Sequence, residues 1–308
     1  MMNIAQSRRR SHLRALKSFV GQFLAHGGAQ VGLLVLVAFL LMAAAPSLLV
    51  GPLETVATAT GNFLAPPSSH NLLGTDEIGR DVLNLVVHGA RNSLAIALVA
   101  TMISLVVGTA VGVSAGYFGG LVDVWLMRTT DFFFVMPSFV LALVITPVFL
   151  DVVGHQDFLG FRPSFFVIIV VIGLTSWAMV ARLLRSQTLS LRERQFVDRA
   201  RVAGTSNLGI MIRHLLPNLV PQIAANGALV VANAIYIETA LSFLGLGDPL
   251  QPSWGTILLL AQRSGAASIG AWWYMGAPGI CVLAVALSFV LLGNALDDTF
   301  NPRRRVIP

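Results

Sequence analysis

The chain has 308 residues, of which 56% are hydrophobic and only 11% are charged, whereas soluble globular domains carry about 25% charged residues. This composition excludes an ordinary soluble domain and indicates that much of the chain lies in a lipid bilayer. The net charge of +6 comes almost wholly from arginine, since Lys17 is the only lysine. Because the arginines lie between apolar segments and near both ends, we interpret them as determinants of membrane topology and not as a nucleic-acid surface.

Six apolar segments of about membrane-spanning length follow one another and predict an all-α, polytopic membrane protein. The first, residues 29–50, follows a basic segment, 1–28, and precedes a polar stretch, 51–92, which we expect to be an external loop with some short helix. The other five form a core over residues 93–295, and a tail, 296–308, follows it. We place these five spans at about 93–115, 132–150, 163–184, 218–243 and 272–295.

The distribution of basic residues predicts the orientation in the membrane. Five lie before the first span, six arginines lie from Arg185 to Arg213, and three lie at 303–305. The connections on the opposite side contain only four arginines, Arg80, Arg91, Arg162 and Arg263. Since connections rich in arginine and lysine stay in the cytoplasm, we expect both termini and the loop 185–216 to be cytoplasmic in a multi-pass protein of the inner, or plasma, membrane.

Three glycines in the second span, Gly108, Gly112 and Gly116, are spaced four residues apart and therefore share one helical face. Such a face allows another helix to approach closely. The neighbouring helix belongs either to the same chain or to a partner subunit, and the sequence leaves both possibilities open.

The arginine-rich loop predicts two short helices separated at Gly204. Phe196, Ala200 and Ala203 recur at spacings of four and three, which indicates a small, partly apolar face that can dock into a groove of a soluble partner. Gly204 permits the positive φ that a tight break requires, and Ser206 can cap the second helix. The alternative is that the loop is basic only because it sets the topology.

This loop resembles the cytoplasmic coupling loop of ABC-importer permease subunits, in which Glu-Ala-Ala is followed by three residues, Gly and later Leu-Pro. The matching residues are Asp198, Arg199, Ala200, Gly204 and Leu216-Pro217. Arg199 stands where the family usually has Ala, and its long side chain can extend away from the helix face. The resemblance implies that the contact with the ATPase is made by Phe196, Asp198, Arg199, Ala200, Ala203, Gly204 and Leu208.

Further segments, in order, resemble one of the two permeases of dipeptide and oligopeptide importers. They include His-Asn-Leu-Leu-Gly-Thr-Asp-Glu-Ile-Gly-Arg-Asp at 70–81, Gly-Tyr-Phe-Gly-Gly at 116–120, Leu-Ser-Phe-Leu-Gly-Leu-Gly at 241–247 and Gly-Asn-Ala-Leu-Asp-Asp at 293–298. The resemblance implies a type I ABC-importer permease fold that forms half of the passage for di- or oligopeptides or a related solute. It also implies a heterodimer with a second homologous permease, two ATP-binding subunits or one fused ATPase, and an extracytoplasmic substrate-binding protein.

The sequence contains no nucleotide-binding Gly-x-x-x-x-Gly-Lys-Ser/Thr loop. We therefore expect a transport subunit and not an enzyme, which binds no cofactor itself while ATP and Mg²⁺ are used by partner ATPases. The six histidines show no spacing suited to a metal site, so no metal is expected.

Polar residues inside spans are costly and therefore become candidates for the passage. In the fifth span these are Asn226, Asn233, Tyr236 and Glu238, and Met136 and Trp177 are further candidates in other spans. Glu238 either lines the passage or only holds its helix through a hydrogen-bonding partner. If it carried protons, the protein would instead be a secondary transporter driven by an ion gradient, which is the alternative function.

Overall fold

The computed structural model describes residues 20–153, 163–248 and 250–300. The predicted segment 1–28 and tail 296–308 therefore lie largely outside the described residues. The first half of the chain contains α1 (Gly27–Ala44), α2 (Pro46–Val50), α3 (Val82–Phe118), α4 (Gly120–Val135) and α5 (Ser138–Val153). The second half contains α6 (Pro163–Arg192), α7 (Gln195–Val202), α8 (Asn207–Ile210), a π-helical turn (Met211–Leu215), α9 (Leu216–Phe243), α10 (Trp254–Arg263) and α11 (Trp272–Phe300).

Five helical stretches are long and apolar enough to cross a membrane: α1, α3, α6, the run Asn207–Phe243 and α11. A sixth span is formed only if α4 and α5, which meet at an angle of 90°, are taken together. The prediction of an all-α, multi-pass membrane protein is confirmed, with five to six spans in the described part of the chain.

The predicted third span, 132–150, is not one straight helix. Met136 has extended backbone angles, φ −79° and ψ 122°, and the chain turns there from α4 into α5. The physical reason is Pro137, which has no N–H to continue the α4 hydrogen bonds and disfavours helical angles in the residue before it. The apolar segment 132–150 predicts one span that continues through this proline, whereas the proline produces the bend.

The second long helix begins at Val82, eleven residues before the start that hydropathy predicted, because polar residues fix its first turns. Asp81 accepts a hydrogen bond from the Leu83 N–H at 2.9 Å and caps the helix. Asn84 donates to the backbone oxygens of Val50 and Pro52 at 3.0 and 2.9 Å. These bonds join the end of the first span to the beginning of α3.

Residues 51–81 form an ordered cap at the N-terminal end of α3. Within it, Gly61 N–H donates to Gly79 O at 3.0 Å, and the buried Asp76 pairs with Arg80 at 2.6 Å. The cap is attached to α11, since Trp273 Nε1 donates to Thr75 O at 3.3 Å and Tyr274 OH donates to Glu77 at 2.5 Å. The predicted polar loop is thus a folded element in contact with the helix bundle.

Asp81 is half-buried, so its surroundings are less favourable for a charged carboxylate than those of an exposed N-cap residue. Burial raises its pKa above the ordinary value, the hydrogen bond from Leu83 N–H opposes the rise, and the nearby Glu54 adds to it. A raised pKa in the folded state means that the protonated form stabilises the fold, and this contribution is lost as the pH rises through that pKa.

We therefore expect Asp81→Asn, which keeps the capping oxygen without the charge, to leave stability at pH 7 unchanged or slightly higher. Asp81→Ala removes the cap and should lower the free energy of unfolding by about 1 kcal/mol. Unfolding midpoints in detergent would measure both changes. An Asn variant as unstable as the Ala variant would show that the carboxylate charge itself stabilises the cap.

The most extensive helix pair is formed by α3 and α6. A Cβ on Gly108 would lie 2.8 Å from Trp177 O, and one on Gly116 would lie 2.9 Å from Arg185 O. Gly112 likewise meets the backbone of Ala181. The glycine face therefore contacts a helix of the same chain, and the two helices approach so closely because these positions have no side chains.

Candidate functional site

The segment that connects the spans α6 and α9 folds as two short helices, as the sequence predicted. α7 ends before Gly204, whose φ is +77°. The Ser206 hydroxyl accepts a hydrogen bond from Gly209 N–H at 3.2 Å and caps α8. The positive φ at Gly204 reverses the chain, so that α7 and α8 contact each other as one unit, which we call the α7–α8 unit (residues 195–210).

One side of the α7–α8 unit is buried against the rest of the chain. Val197 and Ile210 are fully buried and Ala200 is 6% exposed, and together with Leu215 of the π-helical turn they pack around Tyr117 near the C-terminal end of α3. Tyr117 OH also donates to the Asn207 side chain at 2.8 Å. The packing and this hydrogen bond join the unit to α3, a helix of 37 residues.

The opposite side of the unit is exposed and partly apolar. Val202 is 90% exposed and Leu208 is 62% exposed. Four further exposed residues, Asp198, Arg199, Ala203 and Gly204, complete what we call the α7–α8 surface. Large apolar side chains exposed next to charges are typical of surfaces that a partner covers.

Two residues from the predicted set do not lie on this surface. Ala200 is buried within the chain, and Phe196 is half-buried. Helical spacing placed Ala203 on the same face as Ala200, yet Ala203, the C-cap of α7, is exposed whereas Ala200 is buried. Val202 was missed because it does not follow the spacing of residues 196, 200 and 203.

A cavity of about 450 Å³ lies where the α4–α5 bend approaches α6 and α9. Three residues predicted for the passage, Met136, Asn226 and Asn233, line it. The remaining lining is mainly apolar and aromatic, with polar side chains from α5 and α6: Phe133, Phe134, Pro137, Ser138, Thr175, Ser176, Ala178, Met179, Val180, Leu183, Leu229 and Val230.

The other three predicted passage residues lie elsewhere. Trp177 is buried, with its ring centroid 5.4 Å from that of Phe133, and Tyr236 is exposed on α9 outside the cavity lining. Glu238 is fully buried, and its carboxylate accepts hydrogen bonds from Ser242 at 3.0 Å and from Thr239 at 3.4 Å. Ser93 of α3 and Ser253 at the start of α10 lie beside it, and Ser93 accepts a hydrogen bond from Trp254 N–H at 3.1 Å, so Glu238 lies where α3, α9 and α10 meet.

Sequence reasoning missed the contribution of α6 to the cavity. Thr175, Ser176 and Met179 line it, whereas Trp177 was the residue of this helix that was predicted to line the passage. The adjacent pair of hydroxyl residues within an apolar span was the available signal, because such residues lie against other helices or water more often than against lipid.

The cavity is polar in places but carries no charge among the described residues that line it. Asn226 uses one N–H to donate to Gln222 O at 3.0 Å, which leaves its carbonyl oxygen available. The buried Ser176 hydroxyl has no partner in the described part of the chain. Nor do the described residues contain a group of three or more side chains that could hold a metal ion.

Two ion pairs hold α4 against α6 beside this cavity. Arg185 Nη2 donates to Asp123 at 2.6 Å, and Arg182 pairs with Asp131 while its guanidinium lies 4.0 Å from the ring centroid of Phe134. Phe134 lines the cavity, so the Arg182–Asp131 pair lies at its rim.

The sequence of the chain matches a family of known proteins. Residues 108–306 match the family described as binding-protein-dependent transport system inner membrane component. The oligopeptide transport system permease protein OppC of Lactococcus lactis subsp. cremoris is 37% identical over 245 residues, which cover 79% of each chain. The dipeptide transport system permease protein DppC of Alkalihalophilus pseudofirmus is 33% identical over 278 residues, or 90% of this chain and 86% of the relative.

Among solved structures, the inward-facing MetNI methionine ABC transporter matches 65% of this chain and 96% of its own, with 18% identity and a TM-score of 0.48. The family match and the two curated relatives cover most of the chain and confirm the resemblance drawn from its motifs. The chain belongs to the family of binding-protein-dependent transport system inner membrane components.

Proposed function

We propose that the chain is one of two permease subunits of an ATP-driven importer of di- or oligopeptides. The names of its relatives support this substrate class, since one is an oligopeptide permease and another a dipeptide permease. The chain supplies half of the passage, and partner subunits bind and hydrolyse ATP. A second, homologous permease pairs with it to form the other half.

The α7–α8 unit is the observation that carries the proposal. Its exposed surface has the apolar Val202 and Leu208 next to the charged Asp198 and Arg199, which suits a groove on a soluble ATPase. Its buried side is packed around Tyr117 of α3. When ATP binding draws the ATPases together, the unit moves as a rigid body and α3 moves with it, so the cavity alternates between the two sides of the membrane.

The second permease lies against the α4–α5 side, where the cavity opens. Several large apolar residues of α4 are exposed there, among them Leu121, Trp125 and Val135. Lipid alone can cover such residues, but it cannot satisfy the polar groups of the adjacent cavity. A paired subunit encloses these groups in a passage that water and solute can enter.

The two ends of α3 give the orientation. Asp81 begins the helix in the cap, and Tyr117 meets the α7–α8 unit near its end, so the cap and the unit lie at opposite ends of a 37-residue helix. The arginine-rich α7–α8 end faces the cytoplasm. The cap (residues 51–81) then faces outward, where the substrate-binding protein delivers its solute.

The experiment that tests the proposal is affinity purification of the tagged chain from native membranes in mild detergent, with partners identified by mass spectrometry. Wild-type chain should recover a second permease and ATP-binding subunits. Val202→Glu places a charge in the centre of the α7–α8 surface and should lower recovery of the ATP-binding subunits by about tenfold or more, as expected for a buried unpaired charge. Recovery of the second permease should not change.

Val56→Glu is the matched control, because Val56 is 75% exposed in the cap at the other end of the molecule. This variant should retain the ATP-binding subunits. If Val202→Glu also retains them, the α7–α8 surface is not the docking site for the ATPases. If the wild-type chain moves solute without any ATP-binding partner, the ATP-driven importer is excluded and an ion-driven transporter takes its place.

A further inference from the structure

The residues that line the cavity indicate which kind of solute it binds. This inference rests on the proposed importer function. Asn233 lies in the interior of the membrane-spanning α9, it is exposed, and its amide has no hydrogen-bond partner among the described residues. An amide exposed to lipid without a partner costs several kcal/mol. Because Asn233 lines the cavity, which the second permease encloses, its amide faces water or a solute in the assembled transporter.

Asn226 lies two helical turns before Asn233 and lines the same cavity. One of its N–H groups is used by Gln222 O, so its oxygen and its other N–H remain free. Seven residues of α-helix correspond to about 10 Å. An extended peptide advances about 3.3 Å per residue, so this distance equals about three residues.

Each asparagine offers both a donor and an acceptor, and each peptide group presents one of each. The walls between these polar groups include Met136, Met179 and Phe133, and methionine adapts its shape to different neighbours. The described lining has no charge that would select or reject a charged side chain.

We propose that Asn226 and Asn233 bind the backbone of an extended peptide at peptide groups about three residues apart. This permease does not select peptides by the charge of their side chains. Selection among side chains is then left to other subunits, while this chain recognises the feature that all peptides share.

The test uses the whole transporter, with its second permease, ATPases and binding protein, reconstituted in proteoliposomes. Uptake is measured for three labelled tetrapeptides, Ala-Ala-Ala-Ala, Ala-Lys-Ala-Ala and Ala-Glu-Ala-Ala. For each peptide the variant rate is divided by the wild-type rate, so that preferences of the binding protein cancel. The double variant Asn226→Leu/Asn233→Leu should reduce uptake of all three by about tenfold, as expected for the loss of two hydrogen bonds.

Asn218→Leu is the matched control, because Asn218 also lies on α9 and also donates to the carbonyl four residues earlier, at 2.6 Å, but lies outside the cavity lining. It should transport all three peptides at the wild-type rate. The unfolding midpoint of each purified variant is measured in parallel, and Asn226→Ser/Asn233→Ser, which retains small polar groups, replaces the leucine variant if the latter does not fold.

Two results would overturn the inference: wild-type uptake of all three peptides by the double variant, or a loss confined to the lysine or the glutamate peptide. A loss confined to one charged peptide would mean that the cavity selects peptides by the charge of their side chains. A wild-type transporter that takes up no peptide in the presence of ATP would instead overturn the proposed function, and the inference with it.

Discussion

Gly112→Ala is expected to destabilise the protein by about 2 kcal/mol, because the added methyl group overlaps the backbone of α6. A Cβ at this position would lie 3.1 Å from Ala181 Cα and closer still to its carbonyl oxygen. Backbone atoms cannot rotate away as the end of a flexible side chain can, so the two helices must separate. This cost exceeds the gain of about 1 kcal/mol that alanine normally brings to a helix interior.

Gly276→Ala makes the same chemical change in α11 without the overlap. There the new Cβ would lie 3.6 Å from Trp272, an ordinary contact distance. We therefore expect this variant to be as stable as the wild type or more stable by up to about 1 kcal/mol. Unfolding midpoints of both variants in the same detergent measure the difference. Equal stability of the two would show that α3 and α6 do not pack as closely as described.

Glu238→Ala is expected to lower the free energy of unfolding by about 3 kcal/mol. The side chain is fully buried, so its removal leaves a cavity and deprives the surrounding hydroxyl groups of their acceptor. Glu238→Gln keeps the volume and one oxygen acceptor. It should cost less than about 1 kcal/mol and should leave transport unchanged, since Glu238 does not line the cavity.

Unfolding midpoints and uptake rates measured on the same two variants separate the two interpretations of Glu238. A structural role predicts that stability falls in the Ala variant and that the Gln variant behaves like the wild type. A role in the passage, or as a proton carrier, predicts that replacing the carboxyl group by an amide abolishes transport. In that case Glu238→Gln would be stable but would lose uptake, and the structural assignment of this residue would be wrong.

The elements read most reliably from the sequence were those that depend on local chemistry. Long apolar segments predicted the membrane-spanning helices because an isolated backbone in lipid must satisfy its own hydrogen bonds. The positive φ of Gly204 and the capping hydroxyl of Ser206 followed from the conformational preferences of single residues. The family followed from ordered motifs along the chain, which the comparisons confirmed.

The boundaries were less predictable because polar residues extend helices beyond the apolar core. Hydropathy alone could not place the start of α3 at Val82, where the Asp81 cap and the Asn84 contacts with residues 50–52 fix the first turns. Nor could it show that Pro137 bends the chain by 90°, since the effect of a proline in a span depends on whether neighbouring helices support the broken hydrogen bonds.

The sequence by itself determined that the chain is an α-helical membrane protein, which family it belongs to, and which loop folds as two short helices. Only the tertiary structure decided which face each residue presents. Ala200 is buried while Val202 is exposed, and Asn226 and Asn233 share a cavity with Ser176 of α6 while Glu238 does not. Sequence spacing orders residues along one helix, but burial depends on which other helix packs against each face, and that is set by contacts between distant parts of the chain.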